Sequence, residues 1–170
     1  MDLAMNRNGH TEVAPDAPGR ILRWTQLGLH AAEQWLAPAL DFGIRLLVAS
    51  VFFKAGLTKL ASWSSTLALF ENEYAVPLLS PQVAAYLGTG VELGLPVLLV
   101  LGLGTRLAAI VLFVFNIVAV ISYPDLSEVG LRDHQYWGLL LLLTAFHGPN
   151  RLSFDHFLRR KFLRSGQGHD

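Results

Sequence analysis

The sequence predicts an all-α membrane protein, an antiparallel bundle of four transmembrane helices with an amphipathic helix lying in the interface ahead of it. Three observations carry the prediction. Of 170 residues, 52% are hydrophobic and 15% charged, where a soluble domain has about 25% charged residues. The apolar residues gather in four runs, about 40–60, 83–103, 106–123 and 131–147. At 1.5 Å per residue, each run crosses or nearly crosses a hydrocarbon layer roughly 30 Å thick. Apart from Arg45, Lys54 and Lys59 inside the first run, lysines and arginines fall almost entirely on one side of those runs.

Composition also removes whole classes of function. Thirteen basic and 13 acidic residues give no net charge, so a nucleic-acid partner is not expected. There is no cysteine, which excludes disulfides, thiolate-held metal, iron–sulfur clusters and thiol relays on this chain. The two methionines lie within the first five residues, so no methionine-lined copper path exists. No metal site is expected.

Taken in order, residues 1–19 contain Asn6, Asn8, Gly9, Pro15, Pro18 and Gly19 with hardly any apolar periodicity. They read as a flexible cytosolic tail. They lack the apolar core and small-residue cleavage site of a secretory signal, so the first span would act as an uncleaved anchor. Residues 20–38 form an amphipathic segment. Trp24, Leu27, Gly28, Ala31 and Trp35 share one side and Arg23, Gln26, His30 and Glu33 the other. Two tryptophans on the apolar edge suit the headgroup region, and packing on the protein's own cytosolic face is the alternative. Pro38 ends this helix or marks its junction with the next.

Residues 39–155 make the four-helix domain. Leu67–Ala75, between the first two spans, reads as a short interfacial helix stopped before Pro77. Gly102-Leu103-Gly104-Thr105 is a tight turn in which Gly104 ends one helix and Thr105 N-caps the next. The spans it joins must be antiparallel neighbours. No strand precedes these glycines and the third glycine is missing, so they are not a dinucleotide-binding fingerprint. The fourth span needs the polar turn Arg132-Asp133-His134 to reach its length, and Asp133 there suits the positive end of the helix dipole. Residues 156–170 are a basic cytosolic tail.

Nine basic residues (Arg7, Arg20, Arg23, Arg106, Arg151, Arg159, Arg160, Lys161 and Arg164) lie on one side of the spans. Arg132 alone lies in the long connections of the other. By the positive-inside rule both termini are cytosolic, in a bacterial cytoplasmic membrane.

Ionisable groups inside spans are costly, about 3 kcal/mol or more at a helix centre. Arg45, Lys54, Lys59 and Glu92 are such groups, with Asn116 as a neutral polar group able to bridge helices. Glu92 shares a face with Ala85, Gly88 and Leu99, whose small members let another backbone approach. The opposite face carries Leu87, Gly90, Gly94, Val97 and Leu101. Its Gly90-x-x-x-Gly94 pair serves either close packing within the bundle or a homo-oligomer contact. Arg45, Ala49, Phe52, Gly56 and Lys59 form one stripe of the first span, and Lys54 points about 180° away from Arg45. Face favours Arg45 or Lys59 as the partner of Glu92. Depth favours Lys54, which differs from Glu92 by about 4.5 Å along the normal.

Two readings of these charges stand side by side. In one, Arg45 and Lys59 snorkel to opposite interfaces and Glu92 pairs with a single cation to fix helix packing. In the other, they line a polar pocket, open to the outer side, for an anion, a quinone head group or a proton. His134, beside Asp133, either hydrogen-bonds a quinone oxygen or is an ordinary interfacial residue. His147 lies at the opposite end of that helix, and no other span holds a histidine, so bis-histidine haem is not expected.

The stretch RLLVASVFFKAGLTKL from Arg45, ELGLPVLLVLGLGTRLAA from Glu92, and HQYWGLLLLLTAFHGPNRLSFD from His134 together resemble the DoxX family of small four-helix membrane proteins, over about residues 41–155. Arg45, Gly56, Lys59 and Glu92 match positions that the family pattern marks. Lys54 falls where the family has an apolar residue, and Asn150 replaces the glycine of a Gly-Pro-Gly exit; asparagine also accepts the left-handed conformation. The resemblance implies a membrane subunit serving redox partners. Members include a subunit of an archaeal complex that oxidises thiosulfate or quinol, bacterial proteins linked to redox homeostasis with superoxide- and thiol-handling partners, and companions of clusters making copper-binding modified peptides. It carries over no catalytic residue. The expected function is thus a membrane subunit of a redox or oxidative-stress complex, docked to a protein partner such as an oxidoreductase, with quinone as its ligand and no electron carrier of its own. The alternatives are a small transporter or channel subunit for an anionic or proton-coupled solute, and a structural scaffold.

Overall fold

Apolar runs of this length have one way to satisfy their backbone in lipid, which is to form helices. The computed structural model describes residues 23–26, 28–29, 32–148 and 153–155. The expected tails at 1–19 and 156–170, and the conformation of Asn150, lie outside the described residues. The chain divides into two units, Met1–Ala37 and Pro38–Asp170. In the first, residues 23–26 and 28–29 are helical and Ala32–Leu36 form a π-helical turn, with Trp24 and Trp35 exposed. The amphipathic helix expected over 20–38 is therefore described only in pieces.

Five helices follow: α1 (Ala37–Ala61), α2 (Trp63–Asn72), α3 (Pro81–Leu101), α4 (Thr105–Ser122) and α5 (Glu128–His147). Pro38 sits in the first turn of α1, where no intrahelical partner is needed for an N–H. The 25 residues of α1 extend about 37 Å. Its buried stripe is Arg45, Val48, Ala49, Phe52 and Gly56, the face expected from helical projection, and Lys54 is exposed on the other side.

The interfacial helix expected over Leu67–Ala75 begins earlier and ends earlier, as α2. A single irregular residue, Ser62 (φ −143°, ψ 87°), separates it from α1, and the Thr66 hydroxyl donates to the Lys59 carbonyl at 2.9 Å across the break. Phe70 and Thr66 are buried. Phe70 packs with Ala84 and Ala85 of α3 in a small apolar cluster.

α3 starts with Pro81 at its first position and ends at Gly102, whose φ of 70° is left-handed. Gly104 is left-handed too (φ 57°) and precedes α4. The turn thus differs from expectation in both roles. Gly102 stops the helix, and the cap of α4 comes from Asp155. Its carboxylate accepts from the backbone N–H groups of Gly104 and Thr105 at 3.0 Å and from the Thr105 hydroxyl at 3.2 Å. The Gly102 carbonyl in turn accepts from the Ser153 hydroxyl at 2.8 Å and from the Asp155 N–H at 3.0 Å. Thr105 is already the first helical residue, so its own side chain is not the N-cap.

α5 begins one turn before the expected start. Ser127 accepts from the Gly130 N–H at 3.1 Å as its N-cap, and Glu128 occupies the first turn. Asp133 is therefore past the position where the helix dipole would favour it. Three helical segments, Glu33–Ala61, Pro81–Leu101 and Thr105–Ser122, are long and apolar enough to cross a membrane. α5 has 20 residues, but Glu128, Arg132 and Asp133 in its first two turns set it apart from those three.

The core joins Val48, Ala49 and Phe52 of α1, Leu99 of α3, Ala108, Ala109 and Leu112 of α4, and Leu141 of α5. The Phe52 ring meets Phe115 and Trp137 edge-on, with centroids 6.3 and 6.2 Å apart. Large apolar side chains such as Leu107, Ile110, Val114, Ile121 and Leu139 face outward, while Arg45, Glu92, Asn116 and Thr144 are buried. This inversion of the usual surface is stable in a lipid solvent. Gly90 and Gly94 lie on the exposed face of α3 with open space where a Cβ would stand. Close packing within the described bundle, one of the two uses expected for that pair, does not occur.

Candidate functional site

Gly56 lets α1 and α3 approach so closely that a Cβ there would stand 2.8 Å from Leu93 Cγ and 3.1 Å from Glu92 Cβ. One turn further along α1, the Lys59 ammonium lies 2.7 Å from both carboxylate oxygens of Glu92. The pair is largely buried, with 17% and 8% of the two side chains exposed. Of the three cations weighed from sequence, Lys59 is the partner of Glu92. Pro96, wholly buried four residues on, has no N–H to give the Glu92 carbonyl, so the helix runs on through Glu92 with one of its backbone hydrogen bonds missing.

The pair stands between two cavities. One, of about 240 Å³, is lined by Phe52, Lys59, Tyr74, Glu92, His134 and Trp137 and reaches Tyr123 and Leu126 at the end of the bundle. The other, of about 130 Å³, has mainly apolar walls from Phe70, Leu87, Val91 and Val118 and includes Ser122. Both are bounded by Lys59, Tyr74, Glu92, Phe115 and Ala119. A cavity of roughly 150 Å³ holds benzene, so the larger chamber has room for a substituted six-membered ring.

The loop after α2 closes over this region. Tyr74 stacks on Phe70 at 4.8 Å and meets the Tyr123 ring at 5.2 Å. The Tyr123 hydroxyl donates to Glu73 Oε2 at 3.1 Å, and the Ala75 N–H donates to the Ser122 carbonyl at 2.8 Å. Burial, with Glu92, Tyr123 and Glu73 nearby, pushes the Tyr74 hydroxyl above its ordinary range. The bond to Glu73 does the same for Tyr123.

His134 brings a second polar pair to the chamber. Asn116 Nδ2 donates to the His134 carbonyl at 2.9 Å, and Asn116 Oδ1 is 2.7 Å from His134 Nδ1. The imidazole meets Trp137 edge-on at 4.8 Å.

Four of the six residues singled out from sequence, Lys59, Glu92, Asn116 and His134, thus form two adjoining pairs, three of them on one chamber wall. Arg45 is elsewhere. It is wholly buried, with Nη2 3.2 Å from Asp41 Oδ2 and its guanidinium 5.8 Å from the Phe42 ring centre. Its position on α1 is about 21 Å from Lys59 along the axis. Lys54 is exposed and lines neither cavity. Sequence reasoning missed Tyr74, Tyr123 and Trp137. Only Trp137 left a signal, three residues after His134 and hence on the same helical face.

The family model for DoxX matches residues 40–124, a segment that holds Arg45, Lys59, Glu92 and Asn116 and stops before His134. No curated protein and no solved structure matches the chain. Half of the sequence, including the helices that carry the buried ion pair, fits that one family, and the chain is an integral membrane protein of the DoxX family.

Proposed function

We propose that this protein is the membrane subunit of a redox or oxidative-stress complex and that it holds the ring of a lipophilic quinone in the chamber beside Lys59 and Glu92. The observation that carries the reading is a buried ion pair on the wall of an aromatic, ring-sized cavity. A pair needed only to fasten two helices has no use for a chamber at its side. Phe52, Tyr74 and Trp137 offer flat apolar contact, while the Lys59 ammonium can donate to a ring oxygen and His134 adds a second polar group to the wall. In this reading electrons reach or leave the ring through a protein partner, an oxidoreductase. On the same reading α5 is a fourth crossing and both termini are cytosolic, in a bacterial cytoplasmic membrane; the nine-to-one distribution of basic residues supports that orientation.

The test is fluorescence quenching in nanodiscs, with Trp24, Trp35 and Trp63 replaced by phenylalanine so that Trp137 alone reports. A benzoquinone with a decyl tail is expected to quench saturably. Ala119→Phe, which fills the chamber without altering a charge, is expected to reduce quenching to that of a quinone dissolved in lipid. Equal quenching in both proteins would refute the site. Co-purification from native membranes in mild detergent tests the subunit role, and recovery without an oxidoreductase would count against it.

A further inference from the structure

We infer that the chamber selects the reduced, hydroxyl-bearing form of its ring ligand, because Asn116 locks His134 in the tautomer whose free nitrogen is a proton acceptor. This rests on the ring-binding reading above and goes beyond it.

The argument is one of donors and acceptors. The His134 carbonyl, 2.9 Å from the Asn116 side chain, can only accept, so the amide nitrogen must face it. That fixes the amide oxygen toward the imidazole, 2.7 Å from Nδ1. An amide oxygen also only accepts, so Nδ1 carries the ring proton. A neutral imidazole has one N–H. Nε2 therefore presents a lone pair, and among the described residues no group donates to it.

Lys59 makes the opposite demand. Its ammonium has three N–H donors, and bonds to the two oxygens of Glu92 account for two of them. A ligand that satisfies both sides must accept from Lys59 and donate to His134. A hydroquinone hydroxyl does both. A quinone carbonyl only accepts, and sets an oxygen lone pair against that of Nε2. Tyr74 and Trp137 serve either form and do not discriminate. Asn116 is thus a positioning residue and His134 the residue that reads the ligand's hydrogen. The inference concerns binding alone.

The experiment compares trimethylhydroquinone with trimethylbenzoquinone by anaerobic titration calorimetry on the full chain in nanodiscs. The hydroquinone is expected to bind about tenfold tighter, the effect of one net hydrogen bond. In Asn116→Leu the imidazole is free to exchange tautomers, and the preference is expected to shrink toward unity. ¹⁵N spectra of labelled histidine supply a readout that simple destabilisation would not move. His134 should show a protonated Nδ1 and an unprotonated Nε2 in the parent, and a mixture in the variant. If Asn116→Leu does not fold, the parent spectrum decides, and a proton on Nε2 overturns the inference. Equal affinity, or tighter benzoquinone, overturns it while leaving the ring site standing; binding of neither compound overturns both.

Discussion

Removing one member of the Lys59–Glu92 pair should cost far more than removing both. In Lys59→Met the carboxylate keeps its 8% exposure and loses two contacts of 2.7 Å. Breaking a buried pair from one side costs about 3–5 kcal/mol, because the remaining charge is left without compensation. For a chain of this size, that lowers Tm by roughly 10 °C at 2–4 °C per kcal/mol. Glu92→Gln should behave similarly, since an amide oxygen still accepts from Lys59 but leaves the ammonium without its counter-charge. In the double variant Lys59→Met, Glu92→Leu, apolar chains occupy the same contact, and stability should return to within about 1 kcal/mol of the parent. The assay is thermal unfolding in nanodiscs, read as a double-mutant cycle closed by the single variant Glu92→Leu, in which about 3–5 kcal/mol for each single change and about 1 kcal/mol for both give a coupling of at least about 5 kcal/mol. Losses that add to within about 0.5 kcal/mol would show that the two side chains do not act as a pair. Quinone quenching of Trp137 in the double variant then separates the roles, because a protein restored in stability but not in quenching uses the charges for more than fastening.

Asp155→Ala removes three hydrogen bonds from the start of α4. It should destabilise by about 1–2 kcal/mol and speed amide exchange at Gly104 and Thr105, while unchanged exchange would refute the cap. Gly56→Leu drives a side chain into Leu93 and Glu92. It should cost at least about 1–3 kcal/mol and weaken the ion pair, whereas a variant as stable as the parent would show that α1 and α3 are farther apart. Tyr74, held neutral by burial and nearby acidic groups, should ionise later than a free tyrosine. Its contribution to stability is complete below pH 10.0 and is lost as pH rises through the elevated value; tyrosinate absorbance checks this, since the late component, shared with Tyr123, must shrink by one tyrosine in Tyr74→Phe.

Three of the four expected spans were legible as helices long and apolar enough to cross, because hydrophobic length is a property of the chain alone. So was the buried stripe of α1, since helical projection needs no partner. The choice among Arg45, Lys54 and Lys59 was harder. Face and depth disagreed, and face prevailed because a lysine stem of about 6 Å can cover a difference in depth but cannot pass through its own helix. What the sequence hid was contact at long range. Tyr74 and Tyr123 meet 49 positions apart, and Asp155 caps a helix that starts 50 positions earlier. Periodicity tells which side of a helix faces protein, and not which distant residue waits there. Thr105 was a reasonable cap by local rules, and a carboxylate from the far end of the fold displaced it.

That distant cap has a consequence for biosynthesis. Gly102, Gly104 and Thr105 leave the ribosome long before Ser153 and Asp155, so the turn between α3 and α4 remains open while α4 and α5 are being made. The cap is supplied from beyond α5, after both helices have been translated. A nascent chain stopped before Asp155 keeps bare N–H groups at the head of α4, and the turn is complete only once the segment after α5 has docked on it.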